Sequence, residues 1–218
     1  MADKKELERR NYSFEIRAEE DERGKIITGR PIIYNSRTDM GLYDEEIASG
    51  ALDNTDLTDV RFLVNHDTSK IPLARSRRNT PNSTMQLWTD AEGMMIRVLL
   101  DTENNTEARN LFSAVQRGDI TGMSFMFGVD DEEWQNLDSE RPLRVIRSLS
   151  TVVEVSACTF PAYEDTEIQA RSKAALENAK LALENARRSA ENNGSVDTDL
   201  ELRKAIFDFK KTLGGIKQ

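Results

Sequence analysis

His66 is the only histidine in the chain, and it stands where the apolar run Arg61-Phe62-Leu63-Val64 meets the polar Asn65-His66-Asp67. An imidazole at the end of a strand is well placed to move protons. Ser124 lies in the segment Thr121-Gly122-Met123-Ser124-Phe125-Met126-Phe127. Gly122 allows close backbone approach there, and strand alternation puts Ser124 and Met126 on the face opposite Met123, Phe125 and Phe127. A hydroxyl in this position can be a nucleophile if a base takes its proton, and equally it can be a buried, hydrogen-bonded group. The pattern is not the G-x-S-x-G elbow, because Met126 replaces the second glycine. Glu154 is flanked by Val152, Val153 and Val155, and a carboxylate in so β-branched a strand must be paired or hydrogen-bonded to offset its desolvation. Arg144 or Arg147 could neutralise it. Alternatively, Glu154 accepts a hydrogen bond from His66, holding the imidazole tautomer while Ser124 attacks a carbonyl.

The elements that must position these residues are mostly strands. Tyr12 to Ile33 alternates apolar and polar residues across Glu19–Lys25, which predicts a hairpin with Gly24 in its turn. Further strands are expected over Val60 to Val64, Met85 to Thr89 paired with Met94 to Leu100, Ile120 to Val129, and Val145 to Cys158. Thr106 to Arg117 places Ala108, Leu111, Phe112 and Val115 at helical spacing, and Gly118 follows as the stop. The expected fold class is mainly β with α (α+β): a flexible segment over 1–11, one sheet-dominated domain over 12–168, and a tail over 169–218. In the tail, Ala174–Lys180 and Leu181–Arg187 nearly repeat as heptads rich in Ala, Glu and Asn, a helix signature. Its stripe of Leu176, Ala179, Leu183, Ala186 and Ala190 fits either a solvated helix or one that binds a partner. A second tail helix, opened by Thr198 and Glu201, presents Leu202, Ile206, Phe209 and Leu213.

Composition narrows the chemistry. Thirty-nine acidic against thirty basic residues give a net charge of −9, which disfavours a nucleic-acid backbone as the main ligand. No apolar run approaches the roughly 20 residues that span a bilayer, and no signal peptide is evident, so the chain is expected to stay in the cytoplasm. Cys158 is the single cysteine; an intramolecular disulfide and a Cys-based zinc site are excluded by count. Metal catalysis would have to rest on carboxylates.

Four segments in order, Glu45–Leu52 (EEIASGAL), Val60–Asp67 (VRFLVNHD), Gly118–Phe127 (GDITGMSFMF) and Glu154–Tyr163 (EVSACTFPAY), resemble the prohead (capsid maturation) proteases of tailed bacteriophages. The resemblance spans most of Tyr12 to Thr166. It implies a herpesvirus-assemblin-like β-barrel surrounded by helices, and a serine endopeptidase that cleaves capsid and scaffold proteins, and itself, inside the immature shell in the host cytoplasm. It also implies His66 as base, Ser124 as nucleophile and Glu154 as the acid of the EVS motif. The herpesvirus relatives use a second histidine as third member, which this chain lacks, so an acid must serve or the site is a dyad. Asp67 is the rival to Glu154, but strand alternation would turn it away from His66. Backbone N–H groups near Arg144 to Ser148 are the oxyanion donors suggested by the relatives' arginine-bearing loop. No cofactor is required. The implied partners are the major capsid protein and its scaffold region, with self-association of the chain as a further option, and neither nucleic acid nor membrane. The alternative is a non-enzymatic assembly or scaffolding protein, which would have no reason to keep His66 and Ser124 in these motifs.

Overall fold

A computed structural model describes residues 7–12, 16–159, 177 and 179–191. Eleven strands and one complete helix follow in chain order: β1 (Leu7–Tyr12), β2 (Ile16–Asp21), β3 (Gly24–Ile33), β4 (Thr38–Asp39), β5 (Asp44–Ile47), β6 (Asp59–Val64), β7 (Ala74–Arg77), β8 (Met85–Asp90), β9 (Gly93–Leu99), α1 (Thr106–Arg117), β10 (Gly122–Gln135) and β11 (Leu143–Cys158). The chain is therefore α+β and dominated by strands, as its alternating segments predict. The strands form two sheets, one of seven strands with the order β1-β10-β11-β5-β4 and β6 and β7 branching from β11, the other of four with the order β2-β3-β9-β8. Among the described residues the strands close no barrel, contrary to expectation: neither strand order returns to its starting strand. Residues 7–11, expected to be flexible, belong to β1, which pairs antiparallel with β10 from Leu7↔Gly128 to Tyr12↔Met123.

The described residues divide into two compact units. The first draws on residues 7–12 and 16–38, Glu45–Glu133, and 144–159. Its core takes Ile27, Ile32, Met94 and Ile96 from the four-stranded sheet, and Phe62, Met123, Phe125, Phe127 and Val155 from the other; all are fully buried. Each such side chain contributes about 1.5–3 kcal/mol on leaving water. Helix α1 buries Ala108, Leu111, Phe112 and Val115, the face its spacing predicts. The Asn105 side chain caps it by accepting from the N–H groups of Glu107 and Ala108, and Gly118 ends it at φ 79°.

The turn between β8 and β9 is held by Asp90, whose Oδ1 accepts from Glu92 N at 2.8 Å and Gly93 N at 3.1 Å. Gly93 has φ 142°, and a Cβ there would lie 2.0 Å from the Ile32 carbonyl oxygen. Gly93→Ala therefore combines a strained backbone with a clash against the neighbouring strand. We expect it to lower the unfolding free energy by at least about 2 kcal/mol in urea titration.

The second unit draws on Asp39–Asp44, Trp134–Leu143 and, from the tail, the described residues 177 and 179–191. Within it, a helix over 179–191 buries Ala179 and Leu183 with Tyr43, against Met40, Leu42, Trp134 and Leu137. Tyr43 and Trp134 meet edge to face, with ring centroids 4.8 Å apart. The Arg187 guanidinium donates to the Leu137 carbonyl at 3.2 Å from both Nε and Nη2. Two residues of the predicted stripe are thus covered by the unit's own residues, while Ala190 is exposed. Leu176 and the helix expected after Thr198 lie outside the described residues.

Candidate active site

Three strands of the first unit bring the sequence-derived residues together. Strand β6 pairs in parallel with β11, so that Glu154 stands opposite Arg61 and Ala157 opposite Val64. At the end of β6 the chain turns sharply, with Asn65 at φ 53° and His66 at φ 58°. Consecutive left-handed residues that are not glycine are costly, and local hydrogen bonds offset that cost. Asn65 N donates to the Ala157 carbonyl at 3.0 Å, and the Asn65 side chain bonds Thr159 through both its oxygen and its nitrogen, each at 2.9 Å. His66 N donates to Ser156 Oγ at 3.1 Å.

The turn directs the imidazole across β11 toward β10. His66 Nε2 lies 2.6 Å from Ser124 Oγ, and Nδ1 is hydrogen-bonded to Glu154 Oε1. Glu154 Oε2 accepts from Ser156 Oγ at 2.6 Å, so the carboxylate is fixed from both sides. Ser124 and Ser156 are fully buried and Glu154 nearly so. This is a continuous serine–imidazole–carboxylate chain, in which an acceptor on Nδ1 leaves the Nε2 lone pair for the hydroxyl proton. The hydroxyl has a second partner, because Ser124 Oγ donates to the Arg10 carbonyl of β1 at 2.7 Å. One proton cannot serve both acceptors at once.

A family model described as caudovirus prohead serine protease matches residues 12–181. The chain belongs to this family. It is also similar to the prohead protease of Enterobacteria phage HK97, 27% identical over 159 residues that make up 72% of this chain and 64% of that protein. The chain thus spans slightly under two thirds of the length of the curated relative it matches. No solved structure matches it. Within the family match lie all three residues of the hydrogen-bonded chain. Asp67 is not part of it: its carboxylate accepts from Ser69 N at 3.1 Å and Ser69 Oγ at 2.5 Å. The reason differs from strand alternation, since Asp67 follows β6 in a turn closed by its N–H on the Val64 carbonyl at 3.1 Å.

Neither arginine considered for Glu154 reaches it. Arg147 pairs with Glu133, and Arg144 is buried in a cluster with Glu8, Glu45 and Glu132. Residues 144–148 lie inside strand β11 and not in a loop. Sequence reasoning missed Ser156 and Asn65 as supports of the imidazole. The signal was present, because both lie in motifs that carry the family resemblance, EVS and VNHD. No group of His, Cys, Asp and Glu side chains suited to a metal ion occurs among the described residues, and no described helix is long and apolar enough to cross a membrane.

The charged cluster joins β1 to the sheet. Arg10 donates to Glu45 Oε2 at 2.7 Å and also pairs with Glu8. Arg144 donates to Glu8 Oε1 and Oε2, each at 2.8 Å, and to Glu45 Oε2 at 2.9 Å. Burial alone would push the Glu8 carboxyl up, but the hydrogen bonds and charges of Arg144 and Arg10 outweigh it and hold the group at about 2, against an ordinary 4.5. A carboxyl depressed on folding stabilises fully above its unfolded value and loses that contribution as pH falls through the folded one. Protection of the β1 amides against hydrogen exchange, corrected for intrinsic rates, should therefore fall as pH drops from about 4.5 toward 2. Glu8→Gln should flatten that dependence.

Proposed function

We propose that the protein is a serine endopeptidase that cleaves the major capsid protein and its scaffold region, and itself, inside the assembling prohead in the host cytoplasm. The single observation that carries this reading is the unbroken hydrogen-bonded chain from Ser124 Oγ through His66 to Glu154, in a member of the prohead serine protease family. In the proposed mechanism His66 takes the Ser124 proton as Oγ attacks the substrate carbonyl, then returns it to the leaving amine. Water activated through the same imidazole hydrolyses the acyl-enzyme. Glu154 holds the imidazole tautomer and stabilises the imidazolium. No cofactor takes part, and neither nucleic acid nor membrane is a partner.

The same reading holds the fold to be assemblin-like, with the peptidase domain over 12–168 and a helical tail over 169–218 that binds the capsid protein or another copy of the chain. An experimental structure superposed on a herpesvirus protease tests the first point. For the second, protein lacking residues 171–218 should turn over a short peptide within about threefold of full length, yet be depleted from assembled proheads. The activity itself is tested by co-expression with the cognate major capsid protein and mass measurement of both chains. Defined truncation of the capsid protein, absent with Ser124→Ala, is the expected result; an intact capsid protein would overturn the reading.

A further inference from the structure

Strand β1 lies along the edge of β10 that carries Ser124, with Asn11 opposite Ser124 and Arg10 opposite Phe125. The Ser124 hydroxyl donates to the carbonyl of Arg10 at 2.7 Å. An extended segment paired to a sheet edge, with one carbonyl at the nucleophile, is how β-strand addition would present a peptide for cleavage. Arg10 is the residue that supplies that carbonyl. Its side chain, 9% exposed, runs to Glu45, whose side chain is 0% exposed, and one guanidinium edge, Nε and Nη2, engages both carboxylate oxygens.

The charges around Glu45 set what this place accepts. Apart from β1, the buried Glu45 carboxylate is held by Arg144 alone, and Arg144 also serves Glu132. A buried carboxylate with too few partners is costly, and a cation from an incoming strand supplies the second partner that Arg10 now provides. An arginine fork matches both carboxylate oxygens, and a lysine supplies the charge alone. A leucine would leave Glu45 with Arg144 only, a glutamine would offer it no charge, and a glutamate would set a second carboxylate against it.

We infer that the β10 edge is the binding site for the substrate strand, and that Glu45 selects arginine or lysine as the residue whose carbonyl faces Ser124, with β1 as its resident occupant. The inference rests on the proposed peptidase function for its meaning, but binding can be measured without turnover. The probe is a fluorescent twelve-residue peptide with the sequence of residues 5–16, prepared with Arg, Lys, Gln, Leu or Glu at the position of Arg10. The protein is the full chain with Arg10→Ala, to loosen β1, and Ser124→Ala, to prevent cleavage. The Arg peptide should bind at least tenfold tighter than the Leu peptide, and adding Glu45→Gln should shrink that ratio to within about twofold. Equal affinities, no measurable binding of any peptide, or a preference that survives Glu45→Gln would each overturn the inference.

Because Glu45→Gln also disturbs Arg144 and could prevent folding, turnover of the same five peptides by the chain carrying only Arg10→Ala gives a second reading. Cleavage should favour Arg and Lys by at least about thirtyfold over Leu. Turnover that depends on Ser124 but ignores this residue leaves the peptidase standing and removes the role of Glu45. A binding preference without any turnover does the reverse.

Discussion

Ser124→Ala and His66→Ala should each abolish capsid protein processing, and the double substitution should be no worse than either alone. In the proposed mechanism the hydroxyl and the imidazole act on one proton in one step, so removing either member of such a unit costs nearly the whole acceleration, and the losses do not add. A fall of about 10⁴–10⁶ in kcat is the scale for this class of site. Far-ultraviolet circular dichroism and melting curves should show both variants folded, because Ser124→Ala removes one hydroxyl and His66 sits in a turn at the end of β6. Processing within tenfold of the parent by purified Ser124→Ala would remove Ser124 as the nucleophile.

The second large effect is a ranking. Glu154→Gln should slow cleavage by about 10⁴, as expected when the acceptor on the imidazole Nδ1 becomes an amide that can turn a donor toward it, whereas Asp67→Asn should change the rate by less than about fivefold. Glu154 bonds Nδ1 with one oxygen and Ser156 with the other; Asp67 is spent on Ser69. Matched kcat/KM values on one peptide decide it. If Asp67→Asn proves the more damaging, the orienting acid lies in the turn and not on β11.

The elements that could be read from the chain were those whose local pattern and tertiary role agree. Helix α1 was legible because its apolar face and terminal glycine both lie within Thr106–Gly118, although its Asn105 cap was not read. The hairpins β2–β3 and β8–β9 were legible from alternation around Gly24 and Gly93. Strand β1 was not, because Leu7–Tyr12 (LERRNY) carries three charges in six residues and reads as solvated chain. Its arginine and glutamate become a sheet contact only when Glu45 and Arg144, far away in sequence, meet them. The same blindness hid the pairing of Arg144, which had seemed free to neutralise Glu154. Ser124, His66 and Glu154 were found through short motifs, but the route by which His66 reaches both partners lies in two left-handed residues, Asn65 and His66, that no periodicity announces.

The contact between Ser124 and the Arg10 carbonyl has a consequence for covalent chemistry. Organophosphorus reagents mark serine hydrolases by reacting with the nucleophilic hydroxyl, and they must reach it to do so. Here the hydroxyl is fully buried, and a carbonyl of β1 lies 2.7 Å from its oxygen. Labelling of the resting protein should therefore proceed no faster than β1 lifts from β10, and its rate should stop rising at high reagent concentration. That plateau would be a direct clock for the opening of the strand, read in time without any substrate.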